Sequence, residues 1–512
     1  MTAVSAPQGA TTPGVGDKGL KSNAIGYLSN LVIGVASTAP AYSLAVTLGF
    51  IVAVPQMGTH APAILLVSFV PMLLIAFGYK YLNRADPDCG TTFAWGTRAM
   101  GPWIGWINGW AIFVADVIVM ASLAVIAATY TYLLFGWHTG AHKEAAVLVG
   151  SSVWIILMTW ICYRGIELSA RVQQFLLGAE ILVLAAFAIV AFYKVYAHHP
   201  AHSLHVSGDW FNPFSLGLNP LFDGVLLGIF IYWGWDSGVS VNEETEGASE
   251  SPGKAAVLST LILLLIYLLV AAAAQAYAGT GFLSAPANQN EVLSVLGTKI
   301  FGSPWDKLLI IAVLTSASAS TQTTILPTAR TTLSMARWKS IPPIFGRIHA
   351  EYLTPTVSTL GMGAFSIVFT LLLVGFDFKS QSVLADSVSA IGFAILFYYG
   401  FTGLICTIYF RKQLTRDLKT FVMVGVVPLL GAVLMGAVFV KAFVDYSKAG
   451  FNYSSPVLGI QVPILIGVGG LLLGVPIMLL CAVKYREYFG RKPEVAADDA
   501  LDVKVDHVAL HF

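Results

Sequence analysis

Residues 31–44 read Leu31-Val32-Ile33-Gly34-Val35-Ala36-Ser37-Thr38-Ala39-Pro40-Ala41-Tyr42-Ser43-Leu44. With its neighbours over 24–53 the run is long and apolar enough to cross a bilayer, which takes roughly 20 mostly apolar residues. It is also interrupted. Pro40 lacks a backbone donor and clashes with the turn before it. A second stretch, Tyr232-Trp233-Gly234-Trp235-Asp236-Ser237-Gly238, interrupts another apolar run with two glycines and an acid. In lipid, a broken helix frees N–H and C=O groups that need a cavity, a ligand or an ion to satisfy them. Either break alone reads equally as a kink. The matched pair points to an inverted repeat with a binding site at the midplane, where freed N–H groups attract a carboxylate and freed carbonyls a cation.

The composition agrees. Of 512 residues, 56% are hydrophobic and 11% charged, against about 25% charged in a soluble domain. Mean hydropathy is +0.76. The aromatic share and a net charge of +1 argue against disorder, and no basic excess exists for a nucleic-acid partner. The expected surroundings are a lipid bilayer. Twelve spans are expected, near 24–53, 61–82, 99–133, 145–163, 172–196, 218–241, 255–278, 305–332, 356–376, 383–410, 421–443 and 457–483. The runs are too long and too evenly apolar for a β-barrel. The fold class is all-α and polytopic.

Lysine and arginine are retained on the cytoplasmic side. With twelve spans and the N-terminus inside, 21 of the 28 cationic residues fall in cytoplasmic segments. The expected location is therefore the cytoplasmic (inner) membrane, with both termini inside. Residues 1–22 and 490–512 are polar and are expected to be tails, the first disordered, with no cleavable signal peptide ahead of the first span. Cys89, Cys162, Cys406 and Cys481 lie near cytoplasmic ends, where disulfides are disfavoured. None has metal-ligand spacing, and no cofactor or metal site is expected. His198, His199, His202 and His205 read as a solvated outer loop rather than a metal site.

Acids inside spans are costly and usually face a cavity or a partner. Glu180 has no Lys or Arg within a helical turn and is the foremost candidate for coupling to an ion. Its plain alternative is a neutral carboxyl bonded to a neighbouring helix. Asp116 and Asp236 are further candidates, with Asp236 equally suited to capping the broken helix; Asp386 reads as interfacial. The eighth span carries Thr315, Ser316, Ser318, Ser320, Thr321, Gln322, Thr323 and Thr324, suited either to packing or to ion handling. Gly101, Gly105 and Gly109 permit close helix approach.

Together these residues resemble the amino acid–polyamine–organocation permeases over roughly 22–415. Gly34-Val35-Ala36-Ser37-Thr38-Ala39-Pro40 resembles that family's broken first helix, especially in bacterial putrescine importers. Cys89-Gly90-Thr91-Thr92-Phe93-Ala94-Trp95 with Gly101-Pro102-Trp103 resembles the stretch between its second and third spans. Arg164-Gly165-Ile166-Glu167-Leu168-Ser169-Ala170-Arg171-Val172 matches its loop before the fifth. Gly234-Trp235-Asp236 with Glu243-Glu244 resembles its sixth-span signature, and Arg330, Met335-Ala336-Arg337 and Pro342-Pro343 its segment after the eighth.

The resemblance implies a LeuT-type five-plus-five inverted repeat, here about 23–200 and 215–415 within a 23–415 core, followed by two extra helices in 416–489. It implies secondary active transport by alternating access. Substrate would meet Ser37, Thr38, Ala39, Pro40, Ala41 and Tyr42 at the first break and Phe230, Tyr232, Trp233, Gly234 and Trp235 at the sixth, with Asp116 nearby. Phe230 falls where the related arginine/agmatine antiporter has an aromatic gate, and Asp236 where it has a pH-sensing glutamate. At Glu180 several proton-coupled members carry a lysine. A carboxylate there leaves three roles: a proton site, a sodium ligand with Ser316 or Ser318, or attraction of a cationic substrate. The proton is favoured.

The expected function is uptake of an amino acid or polyamine, coupled to H+ with Na+ as the alternative. A sodium symporter or an exchanger of the same fold is the alternative within the class; a channel or receptor is the alternative outside it. An enzyme is not expected: the nearest phosphate-loop-like stretch, Gly247 to Lys254, has the wrong spacing and Ala255 where Ser or Thr is needed.

Overall fold

The computed structural model describes residues 18–289, 292–377, 382–448, 454–497 and 500–501. It is 76% helical, with no strand among the described residues. Eleven helices are long and apolar enough to cross a membrane, and a twelfth apolar helix, Leu218–Ile231, is shorter. These twelve match the expected spans one for one.

The short one is the sixth span, which stops where its sequence breaks. Its helix ends at Ile231, the chain turns through 232–236, and helix resumes only as Ser237–Ser240 and a 3-10 turn at Asn242–Glu244. The first span is likewise two helices, Tyr27–Ser37 and Pro40–Ala53. Pro40 opens the second helix at a position where its missing N–H costs nothing. Between them Ala39 sits in the left-handed region at φ +47°, a conformation that costs a residue with a Cβ roughly 1–2 kcal/mol.

Several boundaries differ from expectation by a few residues, three of them with a local cause. The third run was placed at 99–133, but the helix begins at Pro102, after a separate helix Thr92–Met100. Gly101 at φ +100° makes the corner between them. Gly105 lies so close to that helix that a Cβ would fall 2.7 Å from the Phe93 carbonyl, so this glycine serves packing. The fifth span starts at Ile166 rather than 172 because Gly165 ends the preceding loop. The twelfth starts at Ile464, since 457–460 form a tight turn closed by a Val457–Ile460 bridge.

The described ends of the chain lie near each other: Lys18 pairs with Asp88, and Glu494 with Arg98, which also holds Asp86. Part of each polar stretch packs on the bundle. Residues 1–17 lie outside the described residues, but Lys18 and Leu20 are buried against the bundle. At the other end of the chain, Glu494 N–H donates to the Arg98 carbonyl (2.5 Å) and Ala496 N–H to that of Tyr409 (3.0 Å). Residues 498–499 and 502–512 lie outside the description. Backbone donors left over at a chain end find carbonyls on the nearest helix ends, which is what docks these segments.

Candidate functional site

The two helix breaks face each other in the middle of the bundle. Ser37 Oγ and Ser237 Oγ are 2.7 Å apart. The Ser37 carbonyl, freed where the first helix ends, accepts from Ser320 Oγ of the eighth span at 2.8 Å. Gly234, at φ +120°, lies against the same carbonyl, and a Cβ there would come within 2.7 Å of it. Only glycine allows both the turn and the contact.

A small cavity opens where the breaks meet. It is lined by Ser37, Ile112, Asp116, Trp233, Gly234, Asp236, Ser237, Thr324, Pro327 and Tyr398. Two carboxyl groups reach it, and no lysine or arginine is among its walls. Asp116 Oδ2 accepts from Thr328 Oγ1 at 2.5 Å. Asp236 takes three phenols: Tyr399 on Oδ1 at 2.8 Å, and Tyr398 and Tyr79 on Oδ2 at 3.0 and 3.5 Å. Trp233 Nε1 donates to the Tyr398 hydroxyl, so indole, phenol and carboxylate form one chain.

Behind the first break lies Glu180, fully buried. Its Oε1 accepts the Ala41 N–H at 2.7 Å, and Ser316 Oγ accepts the Tyr42 N–H at 3.2 Å. The other amides of this turn are taken as well: Thr38, Ala39 and Ser43 donate to the Val35, Ala36 and Ala39 carbonyls, and Pro40 has no N–H. Among the described residues, Glu180 Oε2 and Ser318 Oγ are buried with no hydrogen-bond partner, and such atoms are rare unless something else satisfies them.

A family model described as "Amino acid permease" matches residues 26–467, most of the chain. The chain belongs to the amino acid permease family. This permease is 22% identical over 388 residues to the low-affinity putrescine importer PlaP of Escherichia coli, covering 75% of this chain and 81% of the relative. It is 23% identical to the branched-chain amino acid permease BcaP of Bacillus subtilis (60% and 66% covered). It is 23% identical to an arginine/ornithine antiporter of Latilactobacillus sakei (62% and 68%). The protein is a multi-pass membrane transporter of the LeuT-type fold and not an enzyme.

Of the residues singled out in the sequence, Ser37, Trp233, Gly234, Asp116 and Asp236 line the cavity of this permease. Ala41, Tyr42, Glu180 and Ser316 form the neighbouring cluster. Thr38, Ala39 and Pro40 shape the break without reaching the cavity; Thr38 Oγ1 donates back to the Val35 carbonyl. Phe230 is buried but not among the cavity walls. Tyr232 turns away, donating to the Leu65 carbonyl at 3.1 Å. Trp235 turns into an aromatic cluster with Tyr79 and Tyr399. The capping role weighed for Asp236 is not what the geometry has: its side chain makes no cap bond and goes to the tyrosines instead. The hydroxyl stripe divides. Thr315, Thr321, Thr323 and Thr324 donate within their own helix, while Ser316 and Ser320 cross to the first break.

Sequence reasoning missed Tyr79, Tyr398 and Tyr399. The tyrosine pair at 398–399 was a visible signal, but nothing local ties it to an acid more than 160 residues away. Asp88, Cys89 and Glu243 were missed as well; among the described residues they are the group of acids and cysteines that converges closely enough for a metal. The Lys18 ammonium pairs with both carboxylates, which supplies the charge a cation would bring. Burial alone would lower the Lys18 ammonium, but Asp88 and Glu243 outweigh it and hold it well above its usual value. In the histidine loop, the rings of His199 and His205 stack at 5.8 Å, and His198 packs on Tyr193 instead.

Proposed function

We propose that this permease carries a small organic amine, a diamine or similar cation, into the cell by alternating access, driven by a proton gradient acting through Glu180. The single observation that carries the reading is the charge of the cavity: Asp116 and Asp236 line it, with no cationic side chain among its walls. An amine is complementary to that lining, and Trp233 and Tyr398 add aromatic faces that attract cations. The first break supports the same reading. Its amides, which would otherwise serve a substrate carboxylate, are already taken by Glu180 and Ser316. A zwitterion would bring its carboxylate to a place that offers acids and no free donor at that turn.

The proton assignment rests on Glu180 being a fully buried acid with an idle oxygen. A sodium-coupled reading is favoured by the same idle Oε2 together with Ser318 Oγ, both of them oxygen donors of the kind a hard cation takes. The end of the bundle that holds Lys18 and Glu494 is assigned to the cytoplasm, because 21 of the 28 cationic residues fall in the segments expected on that side.

Uptake of radiolabelled 1,4-diaminobutane into proteoliposomes, with unlabelled competitors, tests the substrate class. Diamines should compete most strongly, ornithine and arginine less, and leucine not at all. Competition by leucine equal to that of the diamines would refute the amine assignment. Replacing sodium by choline separates the ions: proton coupling predicts no loss of uptake.

A further inference from the structure

The second span, Ala61–Ala85, packs on the seventh, Ser251–Leu283, and on the eleventh, Leu418–Tyr446. Both fits are close. A Cβ on Gly253 of the seventh span would fall 2.8 Å from the Lys80 Cα, and one on Gly78 would lie 3.5 Å from the Pro428 Cβ of the eleventh. Along the second span Leu74, Phe77, Lys80 and Tyr81 are half-buried. Leu258, Leu261 and Leu265 on the seventh span are exposed, as are Val422, Val426 and Leu429 on the eleventh. The second span is thus recessed between two exposed apolar rows, as the floor of a groove.

Each row ends in a cation on the side of the bundle that holds Lys18 and Glu494. Lys254 shares a helix face with Leu258, Leu261 and Leu265, and Lys419 with Val422, Val426 and Leu429, at the three- and four-residue spacing of one helix stripe. The floor ends in Lys80 and Arg84. Lys80 is close enough to Arg84, Lys254 and Lys419 to be repelled by all three. The acids nearby are committed elsewhere. Glu250 pairs with Arg84 at 2.7 Å and with Lys254 at 3.3 Å. Asp417 accepts the Thr420 N–H at 2.9 Å and the Thr420 hydroxyl at 2.8 Å. Among the described residues Lys80 and Lys419 have no ion pair. The Lys80 ammonium lies instead 6.0 and 5.9 Å from the ring centres of Phe77 and Tyr81.

A single lysine at a helix end is ordinary, since its stem lies along apolar surface while the ammonium reaches water. Cations drawn together from three spans repel one another unless an anion sits among them. The apolar rows say which anion. From Lys254 to Leu265 the helix climbs about 16 Å, half of a hydrocarbon core about 30 Å thick and so the depth of one acyl chain. A soluble anion would use the cations and leave those rows idle. A lipid would use both, and basic pockets between spans on this side suit anionic headgroups. Tyr81 stands at the level where amphipathic rings meet headgroups.

We propose that this groove binds an anionic phospholipid, with its phosphate between Lys80 and Lys419 and an acyl chain along the leucines of the seventh span. The site is separate from the cavity, and its occupant depends neither on the cargo nor on the driving ion.

The test mixes the purified full-length protein in detergent with equal amounts of phosphatidylglycerol and phosphatidylcholine and counts bound lipid by native mass spectrometry. One phosphatidylglycerol should bind ahead of the rest, favoured about thirtyfold, since each of the two unpaired cations contributes roughly fivefold. Lys80→Gln combined with Lys419→Gln should bring the two lipids to parity, and the matching pair of arginine substitutions should keep the preference. Lys484→Gln combined with Arg486→Gln removes two exposed cations beside the twelfth span and should leave the preference intact. The proposal is overturned if the wild type shows no preference, or if Lys80→Gln with Lys419→Gln retains it. Equal losses in the two glutamine pairs overturn it as well, because they would mean diffuse surface charge. Excess inorganic phosphate should displace no lipid; displacement would assign the cations to free phosphate and overturn the lipid. Should the Lys80 and Lys419 pair fail to insert, Lys419→Gln alone, at an exposed position, should still lower the preference about fivefold, and no change there would be equally decisive. No cargo enters the measurement, so a wrong cargo assignment leaves its outcome untouched.

Discussion

Glu180→Gln separates holding the helix break from moving a proton. The carboxylate oxygen accepts the Ala41 amide at 2.7 Å, and the glutamine carbonyl keeps an acceptor in the same place. Exchanging a charged hydrogen bond for a neutral one costs about 1 kcal/mol, so the variant should fold. Glu180→Ala removes the acceptor altogether. It leaves a buried amide unpartnered, at about 1–3 kcal/mol, and should be visibly less stable in a thermal melt. What glutamine cannot do is take up and release a proton. If one proton accompanies each cargo molecule, a gradient of one pH unit is worth about 1.36 kcal/mol and supports about tenfold accumulation. The assay is uptake into proteoliposomes, with the interior one unit more alkaline and the membrane potential clamped at zero. The wild type should accumulate diamine to about that ratio. Glu180→Gln should only equilibrate it, while still exchanging internal for external cargo. Accumulation by Glu180→Gln equal to the wild type under the same gradient would refute the reasoning.

Gly234→Ala places a methyl group 2.7 Å from the Ser37 carbonyl at a φ of +120°, a backbone cost of about 1–3 kcal/mol; uptake should fall tenfold or more in a flux assay, with membrane expression retained. Arg330→Met leaves the Glu244 carboxylate buried and unpaired, a loss of about 3–5 kcal/mol. The double variant with Glu244→Gln should recover most of the melting temperature in detergent; failure of the second change to restore it would count against the pair as the cause. Burial raises the Asp86 carboxyl from 3.8 to about 6 against the opposing Arg98 guanidinium. Between those values the folded chain holds a proton that the unfolded chain has released, so Asp86 adds stability as pH falls through that window. Relative to Asp86→Asn, the wild type should therefore gain melting temperature from pH 7 to pH 5, and a constant difference would contradict the assignment.

The fold was legible because its constraints are local and strong. Twenty apolar residues announce a span by themselves, and Pro40 or Gly234 announces a break. The site was legible only where its residues sit on those breaks. Ser37, Trp233, Gly234 and Asp236 came from the interruptions, and Asp116 from being an acid in lipid. Tyr398 and Tyr399 look like ordinary aromatic filling until the tenth span is folded against the sixth. Tyr232 and Trp235 went the other way: in the turn at 232–236 neighbouring side chains point in different directions, and sequence distance does not say which faces the cavity. Lys18 was hidden for a different reason. Its segment is polar and poor in apolar residues, so composition assigns it to solvent, whereas its burial depends on two carboxylates more than 65 residues away.

The occupied amides of the first break bear on the electrical balance of the cycle. Asp116, Glu180 and Asp236 place three acids at mid-membrane depth, and neither the cavity walls nor the first-break cluster holds a fixed cation to offset them. On the proposed reading, a loaded carrier crosses with that charge offset by an organic cation. An empty one would then make its return stroke with the acids neutralised by small ions instead. In a transporter built this way the cost of coming back empty, rather than the grip on the cargo, would make a driving ion necessary. Exchange of cargo for cargo should then be the faster mode.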